Sequence, residues 1–258
     1  MSIIDKLLIK VSRSGKLTDG RKYLFIGPHP DDIEIGAGET VYKLTKKGKE
    51  VKFLICTDGR YGIDDELLSD EEKITVRKKE SMASATLLGV KEIEFLPFCD
   101  GGDYDVENLS KEIQKVISAY KPDYVFAPDP YVSSELHTDH VKAGLAAARA
   151  FLRSGVPAQM RESGLEFSPV KGIAFYFTSR PDTYVKTTGC GAARLQSILL
   201  HKSQFPCKTE EEKAYFKALT FYLNLRATRL GWRSFRFRAE GFRYLNRIHA
   251  HCFPEAGS

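Results

Sequence analysis

The sequence predicts an α/β protein, Rossmann-like, with a mostly parallel sheet and helices on both faces. Short apolar runs rich in branched and aromatic residues alternate four times with longer stretches of helical period. Glycine, proline and aspartate punctuate the changes, and no repeat or low-complexity linker interrupts them. At 258 residues, 42% hydrophobic and 28% charged, the chain is long enough to bury a sizeable core. A single domain over 1–258 with an irregular C-terminal part is the simplest count.

After an N-terminal amphipathic segment, Tyr23-Leu24-Phe25-Ile26-Gly27 is short, apolar and bounded by turns, which predicts a buried parallel strand. A helix from Gly38 to Lys47 follows, with Val41 and Leu44 set against Lys43, Lys46 and Lys47, and ends at Gly48. Val51 to Cys56 then completes a βαβ unit. The alternation continues with a helix from about Asp70 to Leu88 closed by Gly89, a strand Glu92 to Leu96, a helix Asn108 to Tyr120 and a strand Asp123 to Ala127. Beyond Ala150 the reading is strands near Ile173 to Phe177 and Thr183 to Lys186, helices Ala192 to Lys202 and Glu210 to Arg229, and an arginine-rich aromatic end. In open sheets of this kind ligands collect beyond the carboxyl ends of the strands. Chemistry is therefore expected just after Gly27, Cys56, Leu96 and Ala127.

Several function classes fall away. No window approaches the ~20 apolar residues of a membrane span. Met1 to Val11 is broken by Asp5, Lys6 and Lys10, so it lacks a signal-peptide core. A soluble cytoplasmic protein is the expectation. Cys56, Cys99, Cys190, Cys207 and Cys252 are scattered, without a CxxC pair, and read as reduced thiols. A net charge of +5 tolerates anionic partners but is too small to argue for nucleic acid.

Directly after the first strand, Gly27-Pro28-His29-Pro30-Asp31-Asp32-Ile33-Glu34 packs one imidazole and three carboxylates into six positions. The two prolines predict a stiff loop suited to a preorganised ligand set. After the fourth strand comes His137-Thr138-Asp139-His140, whose histidines share one face if they open a helix. Either cluster alone reads as a solvated turn or a helix cap. Two clusters at two strand ends favour a metal, and two histidines with one carboxylate and an open position describe a catalytic zinc site. A spare carboxylate, Asp31 or Asp32, can take a proton from the attacking water, and a spare histidine, His137 or His140, can stabilise an oxyanion or protonate a leaving amine.

The sequence resembles the LmbE-like, or PIG-L-type, N-acetylglucosaminyl deacetylases, marked by HPDD with a nearby Glu and a later HxDH. Further matches are Thr57-Asp58-Gly59, Arg77 and Glu80 ahead of Leu88-Gly89-Val90, His201-Lys202-Ser203-Gln204 and Ala239-Glu240-Gly241-Phe242, so agreement runs from about Tyr23 to Arg243. The resemblance implies one zinc per chain on His29, Asp32 and His140, Asp31 as general base, His137 on the oxyanion and Asp139 orienting His137. It implies a small amino-sugar substrate, no nucleic acid and no membrane segment, and leaves a homo-oligomer open. Arg77 aligns with a substrate-reaching arginine; by spacing alone it is an exposed partner of Glu80. His201 reads as a buried, hydrogen-bonded histidine.

The C-terminal run interleaves Arg226, Arg229, Arg233, Arg236, Arg238, Arg243 and Arg247 with Trp232, Phe235, Phe237, Phe242 and Tyr244. Without an RRM, KH or helix-turn-helix signature, a core-facing aromatic stripe with arginines toward solvent or an anionic substrate is expected. The tail His249-Ala250-His251-Cys252 reads as a partly disordered terminus with at most adventitious metal binding. Two alternatives remain: an amidase on another small amide, and a non-catalytic α/β binding module. Against the module, GPHPDDIEIG is not a GxGxxG turn, and all five motif residues His29, Asp31, Asp32, His137 and His140 are present.

Overall fold

The first strand shows why the chain folds as it does: alternate side chains of one fully buried run feed two different cores. In the computed structural model, which describes residues 16–252, Tyr23 and Phe25 of β1 (Lys22–Gly27) join one apolar cluster while Leu24 and Ile26 join another. Strands β2 (Glu50–Thr57), β3 (Glu92–Phe98), β4 (Tyr124–Pro128) and β5 (Gly172–Tyr176) extend the sheet in parallel. The first cluster is closed by helices α1 (Asp32–Lys46) and α2 (Asp70–Leu87), the second by α3 (Val106–Tyr120) and α4 (Thr138–Ser154). A short helix α5 (Pro157–Glu162) follows α4. The N-terminal amphipathic segment lies outside the described residues.

The C-terminal part is more regular than its sequence suggests. It contains β6 (Thr183–Lys186), α6 (Gly191–Ile198), α7 (Glu210–Arg233), β7 (Ala239–Asn246) and a helical turn α8 (His249–Cys252). The sheet order is β3-β2-β1-β4-β5-β7-β6, with β7 antiparallel to both its neighbours. The expected aromatic stripe is half right. Phe242 and Tyr244 are core residues, but Trp232, Phe235 and Phe237 are 73%, 100% and 83% exposed. The arginines were expected outside, yet Arg243 is buried against Asp129, under the Tyr131 and Phe175 rings, and Arg238 turns in to Glu39. Arg243 within β7, with Arg236 and Arg238 just before it and Arg247 just after, hid the period of the strand. The expected disordered tail is also corrected, since His249 is buried and its N–H donates to Asn246 Oδ1 at 2.8 Å.

Chain order reverses between β1 and β4, where one connection leaves to each face and a crevice opens at the strand ends. Cys56, Cys99, Cys190 and Cys207 are unbonded. No helix among the described residues is long and apolar enough to cross a membrane.

Candidate active site

Four strand ends contribute to the crevice. β1 delivers His29, Asp31 and Asp32, and β2 delivers Asp58 and Gly59. β3 delivers Asp100, the loop after β4 delivers Glu135 and His137, and the first turn of α4 delivers Asp139 and His140. The first loop is tied down by Thr57, whose N–H and Oγ1 both donate to the Pro28 carbonyl, at 2.9 and 2.8 Å. Gly59 sits at φ +66°, and a Cβ there would stand 2.8 Å from the Pro30 ring, so the tight Thr57-Asp58-Gly59 turn requires glycine. The helix expected from Gly38 already begins at Asp32, because both prolines precede it and an acidic first turn suits the positive helix end.

Adjacent aspartates point apart. Asp32 turns to the histidines: its Oδ2 lies 3.1 Å from His29 Nδ1 and accepts the His29 N–H at 3.0 Å, and its Oδ1 lies 3.3 Å from His140 Nε2. Asp31 turns to Arg77, 3.4 and 3.5 Å from its two terminal nitrogens. Asp31 is the N-cap of α1 but makes no side-chain cap bond, and its backbone is at φ +130°, a sparsely populated region for a side chain. Such strain costs about 1–3 kcal/mol and persists only where its surroundings enforce it.

Each metal-ligating candidate histidine has its second nitrogen held by a carboxylate. His29 Nε2 lies 3.1 Å from both Asp100 Oδ1 and Asp139 Oδ2, and His140 Nδ1 lies 3.1 Å from Glu135 Oε2. The donor atoms of His29, Asp32 and His140 all fall within 4.8 Å of one another, as do those of a second trio, His29, His137 and Asp139. The trios share His29, which faces Asp32 through Nδ1 and Asp139 through Nε2, so they lie on opposite edges of one ring. Imidazoles backed by carboxylates are the outer arrangement that fixes tautomer and aim in metal sites, so the residues fit a cation with zinc-type ligands.

The electrostatics follow from burial and crowding. Burial opposes a charge on His29, but the hydrogen bonds to Asp100, Asp139 and Asp32 outweigh it and hold its pKa well above the usual imidazole value. Burial likewise opposes ionised Asp32, and His140 and His29 overcome it, leaving its carboxyl well below the usual range. Asp31 behaves differently: burial pushes it up to about 6 against the downward pull of Arg77. His137, half exposed at the mouth, is lowered by burial and by the neighbouring His29 and His140.

Two expectations from sequence change. Arg77 is 2% exposed and faces Asp31, so it is not a surface partner of Glu80, which instead accepts from Ser203 N and Oγ. A buried carboxylate needs that cation. Asp139 lies 4.0 Å from His137 Nδ1 but 3.1 Å from His29 Nε2, and it also accepts the Gly101 N–H at 3.0 Å. It engages His29 more closely than His137. His201 is fully buried and meets Glu34 at 3.2 Å, as its reading anticipated. Asp100 and Glu135 are additions; Asp100 follows β3 at the expected ligand edge, whereas nothing local marks Glu135.

Residues 24–151 match the family described as PIG-L: GlcNAc-PI de-N-acetylase. The chain is 34% identical over 259 aligned positions to the diacetylchitobiose deacetylase of Thermococcus kodakarensis, covering 99% of this chain and 94% of that one. It is 30% identical to a probable N-acetyl-α-D-glucosaminyl L-malate deacetylase of Bacillus cereus, over 76% and 90% of the two chains. Among solved structures, the N,N'-diacetylchitobiose deacetylase of Pyrococcus horikoshii superposes with a TM-score of 0.85 at 33% identity, covering 97% of this chain and 94% of that one.

Proposed function

This chain belongs to the PIG-L family of GlcNAc-PI de-N-acetylases, and from that premise we propose that it hydrolyses the acetamide of an N-acetylglucosamine-type sugar or conjugate at a single zinc centre. The observation that carries this reading is the convergence of His29, Asp32 and His140 beside a strained, buried Asp31 that none of the three uses. Two imidazoles and one carboxylate suit zinc and leave a position open. Bound there, zinc supplies Lewis-acid polarisation of the acetyl carbonyl and acidifies the attacking water.

The chain's own residues do the rest. Asp31, with a pKa of about 6, is ionised at neutral pH yet basic enough to accept the proton of the attacking water. As the C–N bond breaks, the same carboxyl can return that proton to the departing amine. Arg77 holds Asp31 toward the centre. His137, whose charge is disfavoured, still presents a ring N–H, and that donates to the oxyanion that forms on the acetyl oxygen. Asp139 and Asp100 aim His29, and Glu135 aims His140. The unpaired cysteines suit a reducing, cytoplasmic setting.

The test is acetate release from a panel of N-acetylglucosamine derivatives by zinc-loaded protein, with one zinc per chain by metal analysis. Chelation abolishes release and zinc restores it. Full turnover by metal-free protein, or none with any derivative, would falsify the proposal.

A further inference from the structure

Two hollows lie in a row beside the centre. The inner, about 390 Å³, opens on His140 and Glu135 and is walled by Phe177 and Ser134. The outer, about 340 Å³, runs along α7 past Pro181, Leu225 and Leu230. They share Thr178, Ser179, Tyr222 and Arg226. Phe177 holds φ +56° and stacks at 7° on the His140 ring, 5.9 Å away, so the inner wall is tied to the centre itself. A ring whose acetamide reached the centre would have the inner hollow beside it and the outer one beyond.

The charge of the outer hollow is one-sided. Arg226, Arg229 and Arg233 line it at helical spacing, and no lining residue is acidic. Among the described residues none of these three forms an ion pair with a carboxylate. The buried arginines of the fold differ: Arg77, Arg194 and Arg243 each meet an Asp or Glu. Arg226 is also held in place. Its Nη1 donates to Tyr222 Oη at 3.1 Å and its Nη2 to the Thr178 carbonyl at 3.0 Å, which leaves donors of its five N–H groups free. A positioned guanidinium with two more beside it is a recognition element for phosphate or carboxylate.

We propose that the outer hollow binds an acidic group on the aglycone, so that the substrate is an anionic N-acetylglucosamine conjugate and Arg226, Arg229 and Arg233 determine that specificity. This rests on the deacetylase reading above. The test compares kcat/KM for acetate release from two anionic probes, N-acetylglucosamine 1-phosphate and N-acetyl-α-D-glucosaminyl L-malate, with that for neutral methyl N-acetyl-α-D-glucosaminide and N,N'-diacetylchitobiose. The expected result is a preference of about tenfold or more for at least one anionic probe, carried in KM and weakening as salt rises. Which probe leads separates phosphate from carboxylate. Arg229→Gln with Arg233→Gln brings the anionic probe down to the neutral ones, and Arg226→Lys retains more of the preference than Arg226→Gln. Neutral probes turned over as well as or better than both anionic ones overturn the proposal while the deacetylase reading stands. A preference that survives the double substitution removes these arginines and the proposal with them. Acetate from none of the four sinks both.

Discussion

Two buried clusters of charge draw on the same helix α1, and they are built on opposite principles. At the inner end of α6, Glu39 meets Arg194 at 2.8 Å and also pairs with Arg238, while Glu240 accepts the N–H groups of Glu39 and Thr40 at 3.1 and 2.7 Å. Two carboxylates thus meet two guanidiniums. At the strand ends, Asp31, Asp32, Asp100, Asp139 and Glu135 surround three histidines and one arginine. Both clusters perturb pKa values; burial and Glu39 lift Glu240 to about 7, much as burial lifts Asp31. A shifted pKa therefore does not separate a structural network from a site. The balance of charge does: the first cluster sets two carboxylates against two guanidiniums, whereas the second sets five carboxylates against one guanidinium, an excess of negative charge that suits a bound cation.

The largest effect expected from that difference is at Asp32. Asp32→Asn should lose zinc at chelator concentrations the parent survives and reduce turnover by about 10³ or more, since several kcal/mol of electrophilic stabilisation go with the ion. Metal analysis and acetate release read this directly, and a variant that keeps tight zinc and full rate removes Asp32 from the ligand set. Asp31→Asn should keep zinc while turnover falls by roughly 10² to 10⁴, the worth of a positioned base. Because the folded state raises the Asp31 pKa, the stability present below the ordinary carboxylate range is lost as pH rises through about 6. Metal-free Asp31→Asn should accordingly melt above the parent at pH 8, and the gap should close at pH 4. Equal gaps at both pH values contradict the burial of an ionised Asp31.

In the balanced cluster the signs reverse. Glu39→Gln leaves Arg194 and Arg238 facing a neutral amide and should cost about 3–5 kcal/mol in denaturant melts, with zinc stoichiometry unchanged. Loss of zinc with no loss of stability would merge the two regions. A smaller shift is expected from Arg77→Met. Its cation pulls Asp31 down, so removal should carry the acid limb of the rate profile to higher pH, whereas a substrate-binding arginine raises KM and leaves the limb in place. The smallest effect is at Phe237→Ser, which changes neither stability beyond ~0.5 kcal/mol nor acetate release, because the ring is exposed and touches neither cluster.

What the sequence alone determined was whatever local pattern encodes. The fully apolar run of β1, the alternation of periods and the two ligand-rich motifs sufficed for a parallel sheet, for its working edge, and for His29 and the HxDH cluster as neighbours, because strand ends in such a fold converge, while the choice of Asp32 over Asp31 and of His140 over His137 came from the family resemblance. Strand β7 was illegible since Arg243 within it and Arg238 before it look solvent-bound until Asp129 and the Tyr131 ring are placed beside the one and Glu39 beside the other. Three assignments needed the tertiary structure. Arg77 belongs to Asp31, 46 positions away, Asp139 leans to His29 more than to His137, and Asp100 closes the far side of the same ring. The physical reason is common to all three. A charged side chain in sequence is equally consistent with water and with a buried partner, and only the fold, by excluding water from some of these groups and supplying a counter-charge to others, decides between them.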